Sequence, residues 1–167
     1  MASETMRMSE TGLAALRQRE HAVLRYYNDV ARNCTYGVGT LAHHGPCTTE
    51  ELQRAVTIHE VNTQLAMKVR AAEVVVRRYV PNTQLTQAQF DALVSFVFNT
   101  GATGARTTLD AANWGANDQV VVHLNNNVYV HPHDAHGRRM AAVRIQGLVN
   151  RRQKEAAPFK RLHGGAQ

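Results

Sequence analysis

The stretch Glu20-His21-Ala22-Val23-Leu24-Arg25-Tyr26-Tyr27-Asn28-Asp29-Val30-Ala31-Arg32-Asn33-Cys34-Thr35-Tyr36-Gly37-Val38-Gly39 decides how this chain is read. From Gly12 onward apolar residues return at helical spacing, and Leu13, Leu16, Val23 and Leu24 fall near one face. Glu20 lies on that same core-facing stripe. An ionised carboxylate is costly to bury, so such a group either finds an Arg or Lys or has its pKa raised. A carboxylic acid kept protonated near neutral pH is what a general acid needs. A helix-face glutamate paired with an arginine is the plainer alternative. Asp29 follows where the helix gives way after Tyr26-Tyr27-Asn28, and Thr35 stands on the first expected strand. The segment from 26 to 47 alternates, is punctuated by Gly37 and Gly39 and turns at Gly45-Pro46, which predicts a small β-hairpin or meander. A helix end and a folded-back hairpin can present Glu20, Asp29 and Thr35 across a cleft. Two carboxylates and a hydroxyl that holds water are the equipment of glycoside hydrolysis.

Beyond this segment the pattern is helical. Thr48-Thr49-Glu50-Glu51 is a capping box with Thr48 as N-cap, and it predicts one long helix to about Val80, where Pro81 closes it. Thr86-Gln87-Ala88-Gln89 opens another, with Phe90, Leu93, Val94, Val97 and Phe98 as its apolar stripe and Gly101 as C′. Gln119 to Leu124 suits either a strand or a buried helix. His131 to Arg139 reads as a polar loop, and Ile145 to Ala157 as a final basic helix. No repeat, low-complexity block or long linker divides the chain. The expected organisation is a tail over 1–11, a single domain over 12–162 with a β lobe at about 26–47, and a tail over 163–167. The fold class is mainly α (α+β): a helical domain, a small N-terminal β-hairpin lobe and a cleft between them.

The composition fits one packed domain. Of 167 residues 44% are hydrophobic and 19% charged, which excludes global disorder. Lys plus Arg number 19 against 13 Asp plus Glu, and the resulting charge of +6 calls for an anionic partner. Nucleic acid, an acidic membrane surface and an acidic wall polymer all qualify. No apolar run approaches the roughly 20 residues of a membrane-crossing helix, so stable membrane insertion is not expected. The start, MASETMRMSETG, lacks the apolar region of a secretory signal, so synthesis in the cytoplasm without a signal peptide is expected.

Glu20, Tyr27-Asn28-Asp29 and Thr35-Tyr36-Gly37-Val38-Gly39 resemble the active-site signature of the phage-type lysozymes, glycoside hydrolase family 24. That signature runs Glu, Tyr-x-Asp, then Thr-hydrophobic-Gly-hydrophobic-Gly. The resemblance continues through Gly45 and Thr48-x-Glu50-Glu51, covers Gln87 to Gly101, and ends at Gly147-Leu148-Val149-Asn150-Arg151-Arg152 with Glu155. It implies a lysozyme-like fold and a muramidase that cuts the β-1,4 bond between N-acetylmuramic acid and N-acetylglucosamine in peptidoglycan. By similarity Glu20 protonates the leaving oxygen, Asp29 positions or activates water, and Thr35 holds that water. The usual outcome in the family is inversion, which needs carboxyls about 6.5–9.5 Å apart. Gly37, Thr40, Phe98 and Asn99 are the substrate-binding candidates, with a capping role for Asn99 the alternative. Arg151, in preference to Arg152, is the expected holder of Glu20. His21 stands where glycine is common, Thr40 where histidine is frequent, and Trp114 lies upstream of the position where tryptophan is expected. The region 121–142 follows the family poorly. No cofactor is implied. The polymer is the partner of an expected monomer, acting as a phage or prophage endolysin or as a delivered antibacterial toxin. A delivered toxin needs an immunity protein.

Cys34 and Cys47 are the only cysteines and bracket the β segment. They either form a disulfide worth roughly 3 kcal/mol in loop entropy or remain two thiols. His43-His44 and His131-x-His133-Asp134-x-His136 raise the question of a metal, but neither matches a standard zinc spacing and none is expected. A basic nucleic-acid-binding protein is the rival reading. Its arginines, Arg70, Arg77-Arg78 and Arg151-Arg152, are dispersed along helices without a recognition motif, so no nucleic-acid partner is expected. A second rival keeps the fold but only binds peptidoglycan.

Overall fold

A computed structural model describes residues 4–132, 134 and 136–160 of the chain. The first helix, α1 (Glu10–Arg19), starts at Ser9, whose hydroxyl accepts from the Gly12 N–H at 3.0 Å. Asp91 in turn accepts from the Ser9 N–H at 3.0 Å and from its hydroxyl. Residues 6–9, expected within a loose tail, are therefore tied down: Met6 and Met8 pack on the core, and the Met8 N–H donates to Glu73 at 2.8 Å.

α1 stops sooner than the apolar spacing predicts. Glu20 is its C-cap, with φ −88 and ψ 85, and its N–H still reaches the Leu16 carbonyl at 2.9 Å. Val23–Asn28 is strand β1, and Leu24 is half exposed instead of facing the core. The β-branched and aromatic residues Val23, Tyr26 and Tyr27 favour a pleated surface, and the sheet overrides the helical period. With β2 (Cys34–Gly37) and β3 (Thr40–His43), β1 makes an antiparallel meander in the order β1-β2-β3, so the lobe begins at Val23. The register sets Tyr27 opposite Thr35 and Asn28 opposite Cys34, which leaves Asp29 at the mouth of the hairpin. Tyr26 and Tyr36 stack across the strands with centroids 4.7 Å apart.

The single helix expected from Thr48 is two. α2 (Thr49–Gln53) ends at Arg54, and α3 (Ile58–Tyr79) starts from a second capping box in which Thr57 and Glu60 bond reciprocally. Between them the chain is extended: the Val56 N–H donates to the Leu24 carbonyl at 3.1 Å and Ala55 bridges to Arg25. That pairing ties the edge of the sheet to the start of α3. Along α3, Val61, Leu65, Val69, Ala72 and Val76 are buried at helical spacing.

α4 (Gln87–Asn113) carries the expected capping box at Thr86 and the largest buried set, including Phe90, Leu93, Val94, Phe96 and Val97. Gly101, with φ 75 and ψ 169, breaks it into two helical runs, a conformation that a side chain resists. The ambiguous run Gln119–Leu124 lies within α5 (Asn117–Asn126). A short hairpin of β4 (Tyr129–Val130) and β5 (Val143–Arg144), not foreseen, flanks the polar stretch 131–139. α6 (Gln146–Ala156) and a 3-10 turn (Ala157–Phe159) close the helical body. Leu16, Phe90, Leu93, Phe96, Leu109, Leu124 and Phe159 are fully or almost fully buried in one core, while Trp114 is exposed. Among the described residues no helix is long and apolar enough to cross a membrane.

Candidate active site

Glu20 reaches the site from the end of α1, not from the face of a helix. Its Oε1 accepts from Arg151 Nη1 at 2.6 Å, and no bond to its Oε2 forms among the described residues. Arg151, on α6, is the more favoured of the two expected arginines. Its Nε donates to Glu155 Oε1 at 3.0 Å and its Nη2 to the Ser95 carbonyl at 3.1 Å. Beneath it Glu155, whose side chain is wholly buried, also accepts from Arg152 Nη1 at 2.6 Å and from the Ser95 hydroxyl at 2.7 Å. Arg19, 4.0 Å from Glu155, completes the cluster. Burial pulls the Arg19 and Arg152 guanidiniums below their usual range, and the charge of Glu155 opposes the shift. Three guanidiniums thus share two carboxylates, and the position of Glu20 is set by a network and not by one contact.

Asp29 is fixed by its own loop. Its Oδ1 accepts the N–H groups of Ala31 and Asn33, each at 2.9 Å, and its Oδ2 accepts the Thr35 hydroxyl at 3.1 Å. Backbone bonds from Arg32 to the Asp29 carbonyl and from Asp29 to the Asn33 carbonyl close the turn, with Arg32 at φ 61. An Asp that bonds the backbone ahead of it is a normal way to build such a turn. Thr35 is almost fully buried on β2. Burial raises the Tyr27 phenol above its ordinary value, and the charges of Asp29 and Glu20 push it further the same way. Tyr27 therefore sits in the field of both carboxylates.

The other expected residues divide. Gly37 has φ 61, and a Cβ there would collide with Gln64 Oε1. Thr40 donates to that same oxygen at 3.2 Å, so Gln64 braces the turn between β2 and β3. The Asn99 side-chain oxygen accepts from Arg152 Nη2 at 2.5 Å, a structural use in the network under Glu20. Phe98 is partly buried with Lys68 Nζ 5.3 Å from its ring centroid. Lys68 was not foreseen: it donates to the carbonyls of Val38 and Gly39, each at 3.1 Å, joining the β lobe to α3. Burial lowers its pKa while Glu20 draws it up. Lys68 follows Gln64 by one helical turn on α3, but a lysine on a helix carries no signal of that role.

Cys34 and Cys47 are joined by a disulfide with Cα atoms 4.6 Å apart. The bond sits in a strut behind Asp29 and Thr35: the Cys47 N–H donates to Asn28 Oδ1 at 2.7 Å and the Gly45 N–H to Asn33 Oδ1 at 3.1 Å. Of the expected histidine clusters, His133 lies outside the described residues. His43 Nε2 lies 3.0 Å from both oxygens of Glu51, and its Nδ1 lies 3.0 Å from the His44 carbonyl.

Comparison with known proteins gives a family and a set of related folds. The family model described as phage lysozyme matches residues 17–155. Among solved structures, the endolysin from Escherichia coli O157:H7 phage FAHEc1 superposes with a TM-score of 0.72 at 27% identity, covering 93% of this chain and 94% of that one. The muramidase domain of SpmX from Asticaccaulis excentricus superposes with a TM-score of 0.69 at 23% identity, covering 92% and 97%. The active form of the P1 phage endolysin Lyz gives 0.67 at 20% identity, covering 93% and 85%. These last two likenesses bear on the fold. No match is found among curated proteins.

Proposed function

Because the chain belongs to the phage lysozyme family, we propose that it is a muramidase that cuts the β-1,4 bond between N-acetylmuramic acid and N-acetylglucosamine in peptidoglycan. The observation that carries this reading is the contrast between two carboxylates: Glu20 rests on a guanidinium at 2.6 Å, and Asp29 rests on a threonine hydroxyl at 3.1 Å. In its protonated form Glu20 gives its proton to the glycosidic oxygen from Oε2, the oxygen that Arg151 leaves open. The C1–O bond breaks as positive charge develops on the sugar ring. A water held jointly by the bonded pair Asp29 Oδ2 and Thr35 Oγ1 attacks the opposite face of that ring and passes its proton to Asp29. The configuration at C1 is inverted. Glu155 assists by sharing Arg151, which fixes the guanidinium on which Glu20 rests.

Gly37, Thr40 and Phe98 border the sugar site in this reading, and Asn99 supports it from below. The chain works as a monomer on the wall, as a phage or prophage endolysin or as a delivered antibacterial toxin with its own immunity protein. The +6 charge draws it to the anionic envelope. Purified sacculi test the proposal. Wild type releases soluble muropeptides and folded Glu20→Gln releases none. Sacculus binding without release points to a wall-binding protein, and salt-sensitive DNA binding without release points to the nucleic-acid reading. Either result overturns the muramidase.

A further inference from the structure

Four side chains with metal-binding chemistry meet where β2, β3 and the start of α2 converge. Cys34 Sγ, His43 Nε2 and a Glu51 carboxylate oxygen all lie within 4.8 Å of one another. Cys34 Sγ is 3.7 Å from Glu51 Oε2, and His43 Nε2 is 3.0 Å from Glu51. Cys47 Sγ, bonded to Cys34 Sγ, is the fourth. Tetrahedral zinc with bonds of about 2.0–2.3 Å holds its donor atoms roughly 3.3–3.8 Å apart. The Cys34–Glu51 distance already matches that spacing, His43 and Glu51 stand somewhat closer than it, and the two sulfurs have to separate.

The supporting contacts are in place as well. His43 Nδ1 lies 3.0 Å from the His44 carbonyl. A proton on Nδ1 donated to that oxygen leaves the Nε2 lone pair for a metal. Glu51 is oriented by its capping box, in which Oε2 accepts from the Thr48 N–H at 2.7 Å.

We propose that reduction of the Cys34–Cys47 disulfide converts this cluster into a zinc site held by the two thiolates, His43 Nε2 and Glu51. Two molecules of a small thiol supply two electrons and two protons, the S–S bond breaks, and the thiols leave as their own disulfide. Zinc then displaces the protons from Cys34 and Cys47. The ion replaces the lost covalent tie, so the strut behind Asp29 and Thr35 is closed by a disulfide under oxidising conditions and by zinc under reducing ones. The proposal stands apart from the muramidase reading: the oxidised chain is assayed on sacculi separately, and neither result decides the other.

Zinc chloride is titrated into the full chain, oxidised or reduced with a phosphine, and bound metal is counted after desalting, with far-UV circular dichroism on each sample. Cobalt replaces zinc for absorption spectra. The reduced chain is expected to bind one zinc per chain with a thiolate-to-cobalt charge-transfer band, and the oxidised chain to lack both. His43→Ala, whose fold is first checked with the disulfide intact, is expected to weaken zinc binding by the reduced chain at least about 10-fold. Equal binding by the oxidised and reduced chains, wild-type binding by reduced His43→Ala, a missing thiolate band, or a reduced chain that unfolds and is not refolded by zinc would each overturn the proposal.

Discussion

Tyr27 reports on the site one residue at a time, because both carboxylates act on its phenol. Its folded pKa is raised from 10.0, so the stability it contributes is complete below that value and is lost as the pH rises through the raised one. Tyrosinate absorbance should therefore show one of the five tyrosines ionising later than the rest, and Tyr27→Phe should remove that component. Glu20→Gln and Asp29→Asn should each bring the late component down. A component that neither variant moves would separate Tyr27 from the two carboxylates. The pairing of Asp29 with Thr35 was legible in the sequence because both lie in one short segment. The partner of Glu20 comes from α6, far along the chain, and only the resemblance to a known family pointed to Arg151. Lys68, whose partners are backbone carbonyls, left no trace in the residue pattern at all.

At the scale of elements, two contacts hold the site together. Glu155→Gln leaves Arg19, Arg151 and Arg152 short of a buried countercharge, and a loss of about 3–5 kcal/mol in urea unfolding is expected. A loss under about 1 kcal/mol would mean that the network does not bear on folding. The disulfide closes the loop between Cys34 and Cys47, with a sequence separation of 13. Replacing both cysteines by alanine should lower stability by about 3 kcal/mol, measured the same way in metal-free buffer. The element boundaries show where sequence periodicity misleads. Leu13, Leu16, Glu20, Val23 and Leu24 fit a helical face, yet the strand pairing of Val23 to Gly37 wins. The split between α2 and α3 was written in the second capping box, Thr57 with Glu60, but an uninterrupted helix over the same residues is equally compatible with their spacing. A backbone bridge between Ala55 and Arg25 decides it, and pairings distant in sequence have no local signal.

For the whole molecule, the charge surplus should appear as kinetics. Hydrolysis of anionic sacculi at low enzyme concentration should slow as salt rises from about 0.05 to 0.5 M, since the Debye length falls below about 10 Å above 0.1 M. An uncharged chitooligosaccharide binding to the same cleft should show little of that dependence. Equal salt sensitivity for both would place the effect on the chemistry and not on the approach to the wall. The most direct test of the central claim is the identity of the new chain ends that the enzyme makes in purified sacculi. Wild type is expected to release muropeptides with reducing N-acetylmuramic acid ends, α-configured when first formed, while folded Glu20→Gln releases none. Muropeptides with N-acetylglucosamine ends, or release by Glu20→Gln at the wild-type rate, would contradict it.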